Sequence, residues 1–187
     1  MSDTKSKGKL IVISGPAGTG KGTVVEALRA RKEYALSISA TTRAPRGTEQ
    51  DGVNYFFKTV EEFEKMIENK EFLEYANFVG NYYGTPKQYV LDRLDEGRDV
   101  ILEIEVQGAL QVKENYPEAL LIFLLPPSKQ ELENRLRGRG TDSEETIIKR
   151  LARADEELAL QDKYDYRVVN DTVERAVEEI EGIIEKA

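Results

Sequence analysis

Apolar positions along the chain fall into two alternating rhythms. Dense apolar runs at 9–14, 34–39, 99–105, 119–125 and 166–170 predict strands, and Leu121-Ile122-Phe123-Leu124-Leu125 is apolar throughout, as a strand covered on both faces must be. Between them, helical spacing marks 21–31, 87–96, 107–115, 129–137, 143–161 and 173–186. Ser128 with Glu131, and Asp142 with Glu145, have the spacing of capping boxes at helix starts. Gly97 closes the helix at 87–96, and Pro117 follows the one at 107–115. Strands separated by helices predict a parallel, doubly wound sheet with right-handed crossovers.

The stretch 40–86 breaks this rhythm. Segments 53–57, 71–78 and 82–85 read as short strands, and Gly80-Asn81 marks a turn. A helix at 60–69 carries Val60, Phe63, Met66 and Ile67 on its apolar face. The expectation is a core of 1–39 and 87–187, a lid at about 136–146 within it, and an inserted, mostly antiparallel lobe at 40–86. Such an insertion sits over the carboxyl ends of the strands, where ligands bind in sheets of this kind.

Composition narrows the chemistry. The 187 residues are 33% charged and 40% hydrophobic with a net charge of −8, so the surface as a whole invites neither nucleic acid nor anionic membrane. An acidic chain that binds polyanions must concentrate its arginines locally. With no cysteine and no histidine, the thiolate and the commonest general base are both excluded. What remains is positioning, carboxylates, Lys, Arg and a hard cation. Residues 1–8 read as a polar lead without the apolar centre of a signal peptide, and no apolar run approaches the ~20 residues of a membrane span. A cytoplasmic enzyme is expected.

The strongest motif is Gly15-Pro16-Ala17-Gly18-Thr19-Gly20-Lys21-Gly22-Thr23, between the strand at 9–14 and the helix at 21–31. Strand, glycine-rich turn, Lys and helix make a phosphate loop: successive N–H groups cradle a phosphate and Lys21 reaches the outer phosphates of a nucleoside triphosphate. The usual Ser or Thr directly after the Lys is replaced by Gly22, so Thr23 is the hydroxyl offered to Mg²⁺.

Ser39-Ala40-Thr41-Thr42-Arg43-Ala44-Pro45-Arg46 then places two planar guanidinium forks three residues apart, suited to a dianionic phosphate. Tyr55 and Tyr83 supply hydroxyls that could reach the same phosphate. Glu103 and Glu105, two apart in an apolar run, should share one strand face and point to the carboxyl end of the sheet. Water-mediated Mg²⁺ binding and acceptance of ligand N–H groups are the tasks open to them. In Arg135-Leu136-Arg137-Gly138-Arg139-Gly140-Thr141, with Arg150 and Arg153 following, glycines permit lid closure and arginines can neutralise a transferring phosphoryl group. Arg137 and Arg153 fit ordinary helix-surface pairing better, Arg153 with Glu157.

Taken together, 15–23, Ser39-x-x-Thr42-Arg43-x-Pro45-Arg46, Glu74, Gly80-Asn81-Tyr82-Tyr83-Gly84, Gln107-Gly108 and Arg139-Gly140-Thr141 resemble guanylate kinase over essentially the whole chain. The resemblance implies a P-loop three-layer α/β fold with a five-stranded parallel core sheet, an inserted mixed α/β lobe for the monophosphate and a short lid. It implies transfer of the ATP γ-phosphate to GMP with Mg²⁺, dGMP being left open as acceptor. By that resemblance Ser39, Arg43, Arg46, Tyr55 and Tyr83 hold the GMP phosphate, and Glu74, Thr85 and Glu105 read the guanine edge. Lys21, Arg43, Arg139 and Arg150 serve the transfer, and Asn170 lies near the adenine. Glu103 is the candidate for Mg²⁺ through water. Three positions depart from the commoner family form: Gly22 for Ser, Thr85 for Ser, and Glu105 where Asp is frequent. The alternatives are a non-catalytic binding module of guanylate kinase-like fold, and a kinase of the same fold acting on AMP or a sugar phosphate.

Overall fold

A computed structural model describes residues 6–187, so residues 1–5 of the polar lead lie outside the described residues. In chain order the elements are β1 (Leu10–Ser14), α1 (Lys21–Arg31), β2 (Ala35–Leu36), β3 (Ala40–Thr41), β4 (Phe56–Phe57), α2 (Val60–Glu68), β5 (Phe72–Phe78) and β6 (Asn81–Pro86). They continue with α3 (Lys87–Asp95), β7 (Val100–Glu103), α4 (Val106–Asn115), β8 (Leu120–Leu125), α5 (Lys129–Gly138), α6 (Glu144–Leu158), β9 (Tyr166–Val169) and α7 (Val173–Lys186). A five-stranded parallel sheet has the order β2-β7-β1-β8-β9, and a four-stranded mixed sheet the order β4-β3-β6-β5. Among the described residues no helix is long and apolar enough to cross a membrane.

By contact density the chain divides into two compact units. One comprises 11–33, 102–110 and 120–187. Its centre is β1 paired with β8, where Ile11, Val12, Ile13 and Leu121 through Leu124 are fully buried. Burial on both faces explains why these strands read as unbroken apolar runs. At the end of β1 the Ser14 hydroxyl and the Tyr164 hydroxyl share a buried hydrogen bond, and the Tyr164 ring meets Phe123 edge-on at 4.9 Å. The polar ends of both side chains are thereby satisfied inside an apolar layer.

The other unit comprises, among the described residues, 6–10, 34–101 and 111–119. It takes in 87–101, which the sequence pattern assigns to the core, because β7 pairs with β2 through Ala35–Val100 and Leu36–Ile101. Lys9 N also donates to Asp99 Oδ1 at 2.8 Å. Phe63 of α2 stacks on Phe72 (4.4 Å) and Tyr82 (4.9 Å) to form the centre of the four-stranded sheet's apolar face. Thr59 starts α2 with a complete capping box, accepting from Glu62 N at 3.1 Å while Glu62 Oε2 accepts from Thr59 N at 2.8 Å. The long edge strand β5 is covered by amide side chains of α4: Gln111 both accepts from Tyr75 N (3.1 Å) and donates to Tyr75 O (3.2 Å), and Asn115 donates to Leu73 O (2.8 Å). These bonds satisfy outward backbone groups that would otherwise template another strand.

Several local expectations are corrected. The run at 34–39 pairs only at Ala35–Leu36 before the chain passes into β3. The run at 53–57 pairs in the sheet only at Phe56–Phe57, because Gly52 at φ 76° and the Asn54 side chain, which accepts from Gln50 N, turn the residues before it. Helix α6 is capped by Ser143, which accepts from Thr146 N at 3.2 Å, not by Asp142; the Asp142 carboxylate lies 3.5 Å from Arg150 Nε instead. Ser128 caps α5, but the carboxylate of Glu131 turns to Arg135 and leaves the box half-formed. Val60 occupies the first position of α2 and is exposed, unlike Phe63.

Burial pushes the Tyr164 hydroxyl from its ordinary 10.0 up to about 12. Since the folded value is raised, the stability tied to the neutral phenol is complete below pH 10 and is lost as pH climbs toward 12. Tyr164→Phe should cost about 1–2 kcal/mol at neutral pH, through the orphaned Ser14 hydroxyl, and should flatten the alkaline loss. Thermal melts of both proteins from neutral pH to pH 12 provide the check; parallel curves throughout would contradict the burial account.

Candidate active site

In the unit built on β1 and β8, the chain leaves the sheet at Ser14 and reaches α1 through the glycine-rich loop. Gly15 passes so close to β8 that a Cβ there would stand 2.4 Å from Leu124 O. Gly20 adopts φ 84° at the N-cap of α1, and a Cβ would stand 2.7 Å from Asn170 Nδ2. Glycine is thus required once by close approach and once by a left-handed conformation. The loop's carbonyls are engaged from within the unit. Thr19 Oγ1 donates to Pro16 O (2.8 Å), Asn170 Nδ2 to Thr19 O (2.7 Å), and Lys21 Nζ to Gly15 O (2.5 Å) and Pro16 O (3.4 Å). No side chain caps α1, so its first-turn N–H groups and the helix dipole are available to an anion.

Lys21 is desolvated, which lowers its pKa; Glu157, Glu103 and Glu105 oppose that shift, while Arg139 reinforces it. The ammonium is therefore held where an incoming phosphate gains most from its charge. A Cβ at Gly22 would lie 3.6 Å from Glu103 Oε1, so the carboxylate stands beside the position where other phosphate loops carry a hydroxyl. Thr23 follows, exposed, on the first turn of α1. Among the described residues no group of three or more carboxylates could cage an ion. One carboxylate and one hydroxyl beside a phosphate loop are the oxygen donors that suit Mg²⁺ carried largely by phosphates and water.

The shared strand face expected for Glu103 and Glu105 is not realised. Strand β7 stops at Glu103, and the Glu105 carbonyl accepts the first α4 bond from Ala109 N. Both carboxylates are exposed rather than buried in a strand, and Glu105 Oε2 accepts from Arg153 Nη2 at 2.6 Å. Asn170 is 4% exposed, and its amide is spent on the loop carbonyl. On α5 and α6, Arg137 is taken by Glu133 and Glu144, and Arg153 by Glu105 and Glu157. Arg150 lies near Asp142, whereas the guanidinium of Arg139, exposed at the C-cap of α5, has no hydrogen bond or ion pair among the described residues.

In the other unit, Thr41 and Thr42 bind both backbone groups of Tyr82, Thr41 Oγ1 donating to its carbonyl and its N–H donating to Thr42 Oγ1, each at 2.9 Å. This fixes the end of β3, from which Arg43 projects. The Arg43 guanidinium lies 5.2 Å from the Tyr55 ring centroid and binds Glu49 through Nη1 (3.1 Å) and Nη2 (2.9 Å). Glu49 first, and then the Tyr55 and Tyr83 hydroxyls, hold its pKa above the ordinary arginine range. Tyr83 stands on β6, with its ring 6.4 Å from that of Tyr55. Ser39 is half-buried at the start of β3, and the side chain of Arg46 is exposed. Elsewhere on the same sheet, Thr85 Oγ1 donates to Glu74 Oε1 at 2.7 Å. Glu74 is half-buried and Thr85 fully buried, so the carboxylate is oriented by a hydroxyl that cannot turn to solvent.

Sequence reasoning missed Glu49 and Gln111. The signal for Glu49 was its place three residues after Arg46, across a turn in which Glu49 N donates to Arg46 O; for Gln111 it was the i,i+4 spacing with Asn115 on α4.

A model of the guanylate kinase family matches residues 7–187. The guanylate kinase of Halalkalibacterium halodurans is 60% identical over 181 residues, covering 96% of this chain and 89% of the relative. That of Caldanaerobacter subterraneus subsp. tengcongensis is likewise 60% identical, with 96% and 88% covered. A crystal structure of guanylate kinase from Anaplasma phagocytophilum superposes with a TM-score of 0.71 at 34% identity, over 97% of this chain and 87% of that one.

Because Asn170 satisfies a loop carbonyl, Asn170→Ala should cost about 1–3 kcal/mol of stability and weaken nucleoside triphosphate binding by loosening the loop. Urea unfolding with and without nucleotide separates the two effects. Unchanged stability in the free protein would remove Asn170 as the brace.

Proposed function

The chain belongs to the guanylate kinase family, and from that premise we propose how its residues divide the work of phosphorylating GMP with ATP. It is an ATP:GMP phosphotransferase, with ADP and GDP as products. The observation that carries the division of labour is the grouping of Tyr55 and Tyr83 around the Arg43 cation, on the sheet that also carries the hydroxyl-oriented carboxylate Glu74.

The loop from Gly15 to Thr23 holds the triphosphate, with its N–H groups on phosphate oxygens and Lys21 exchanging its carbonyl partners for the outer phosphates. Mg²⁺, brought with ATP, would meet the Thr23 hydroxyl and, through water, Glu103, where it would neutralise phosphate charge. Ser39, Arg43, Arg46, Tyr55 and Tyr83 hold the GMP phosphate. Glu74 and Thr85 present acceptors to guanine, whose N1–H and exocyclic amine are donors that adenine lacks at that edge. Glu105, whose carboxylate accepts from Arg153, is assigned to the same guanine edge. Asn170 acts at the adenine end indirectly, by holding the loop.

The acceptor phosphate is already ionised at neutral pH, so the attack needs no general base and a chain without histidine loses nothing. The residues' task is alignment and charge. Lys21, Arg139 and Arg150 draw on the transferring group while Arg43 fixes the attacking phosphate. Arg139 suits this role because it has no competing carboxylate to abandon. The reaction is proposed to run in the cytoplasm.

The test is ADP release from ATP and Mg²⁺ with GMP, AMP, UMP and CMP offered separately. Turnover with GMP alone is expected, and comparable turnover with AMP would discard the base-reading assignment. Glu74→Ala should raise KM for GMP by about 10- to 100-fold, the worth of a hydrogen bond to a charged group, with KM for ATP almost unmoved; equal effects on both nucleotides would sink the role. Lys21→Ala should lower kcat by roughly two orders of magnitude or more with folding intact, whereas a near-normal rate would remove Lys21 from the chemistry.

A further inference from the structure

Arg43 carries five N–H donors on a rigid plane, and their partners determine which edge it can offer an anion. Nη1 donates to Ala44 O at 2.9 Å and to Glu49 Oε1 at 3.1 Å; one Nη2 hydrogen goes to Glu49 Oε2 at 2.9 Å. The end-on edge of the guanidinium is therefore fully taken. Beyond these acceptors, Nε–H and the second Nη2 hydrogen form the side-on edge, able to grip an oxyanion with two parallel bonds, and the Tyr55 and Tyr83 hydroxyls stand within hydrogen-bonding reach of the same guanidinium. The guanidinium carbon stands 5.2 Å over the Tyr55 ring centroid, a cation–π contact.

Glu49 is itself fixed. Its Oε1 also accepts from Arg46 N at 3.0 Å, and Glu49 N donates to Arg46 O at 3.0 Å, closing the turn that carries the second arginine. One carboxylate thus sets the orientation of Arg43 and the backbone of Arg46. Both partners are shielded, with side-chain exposures of 11% for Arg43 and 20% for Glu49. That distinguishes the pair from surface ion pairs, which contribute little.

Building on the assignment of Arg43 and Arg46 to the GMP phosphate, we propose that Glu49 is a positioning residue for the acceptor phosphate. It occupies the end-on edge of Arg43 so that the side-on edge is presented to the phosphate, and it holds Arg46 in register with it. Glu49 touches neither phosphate nor base. A competing geometry, in which Glu49 stands where the phosphate itself must bind and is displaced by it, makes the opposite prediction for affinity.

The experiment compares GMP with guanosine, which keeps the base and lacks the phosphate, in wild type, Glu49→Ala and Glu49→Gln. Affinities come from calorimetry, and KM and kcat from ADP release. Positioning predicts that Glu49→Ala weakens GMP by about 10- to 100-fold while guanosine affinity and KM for ATP stay within about twofold. Glu49→Gln, which keeps the volume and one acceptor, should fall between; it carries the comparison alone if the alanine variant does not fold. Tighter GMP binding in either variant would overturn the proposal in favour of displacement. Equal weakening of GMP and guanosine would overturn it in favour of a merely structural brace, and unchanged GMP affinity would overturn it outright. The underlying phosphate-site assignment fails separately, if wild type itself binds GMP no better than guanosine.

Discussion

A backbone that binds phosphate must leave its N–H groups unspent, and the turn from β1 into α1 depends on meeting that condition. Buried N–H and carbonyl groups are normally consumed by secondary structure or side chains. Here the carbonyls of Gly15, Pro16 and Thr19 are consumed, and no side chain takes the helix-start donors. Thr19, Asn170 and Lys21 each donate to a loop carbonyl, while the helix that follows starts on a glycine with no side chain to cap it. The surrounding layers make this possible. The loop leaves the sheet so close to β8 that a Cβ at Gly15 would stand 2.4 Å from Leu124 O, and the buried Asn170 follows β9 directly. Asn170 is in turn held by Arg135, which donates to its carbonyl at 3.0 Å.

A second constraint is electrostatic. The chain carries −8 overall, yet its proposed substrates are polyanions, so cations must be concentrated and kept from collapsing onto the excess carboxylates. Several arginines are braced by a hydrogen-bonded carboxylate: Arg43 by Glu49, Arg137 by Glu133 and Glu144, Arg153 by Glu105 and Glu157, whereas Arg150 stands 3.5 Å from Asp142 without a hydrogen bond to it. Lys21 and Arg139 differ. Lys21 rests on neutral carbonyls, and Arg139 has no ion-pair partner among the described residues. Cations without a carboxylate partner are the ones that can meet new negative charge without first breaking an ion pair, which suits them to charge that appears only during transfer. Braced arginines suit charge that is present from the start, such as the acceptor phosphate.

Those two constraints explain what could be read in the sequence and what could not. The phosphate loop was legible because its requirements are local: an apolar strand, glycines at fixed offsets, a Lys and a helix, all within 9–31. The strands of the parallel sheet were legible for the same reason, since burial on both faces leaves an uninterrupted apolar run. The Glu103–Glu105 pairing failed because alternation assumes that a strand continues. Nothing in Ile104-Glu105-Val106 marks the point where the Glu105 carbonyl begins a helix. The Asp142 cap failed on a smaller margin, since Ser143 is an equally good cap one residue on. Glu49 and Gln111 were invisible for a different reason. Each acts through a partner whose orientation only the fold fixes: a guanidinium with one edge to fill, and an edge strand with backbone groups to satisfy.

Glu74 shows why such indirect partners matter for a reaction that uses no proton-transfer group. Where chemistry is alignment, a misplacement of about 1 Å can cost as much as a missing side chain. The carboxylate of Glu74 is therefore set from two sides. Thr85 donates to it from the neighbouring strand, and Gln111 clamps both backbone groups of the next residue, Tyr75, on the exposed edge. A glutamate on an unclamped edge strand would keep its charge but lose its aim, because edge backbone without a partner is free to twist. Rigidity at β5 comes from amide side chains rather than from another strand, which leaves the sheet short at that edge without leaving it soft. The same logic places Glu49 behind Arg43 and Asn170 behind the phosphate loop. In these last two cases the group that would touch substrate is held by one that would not, and the holding bond ends on a guanidinium plane or on backbone.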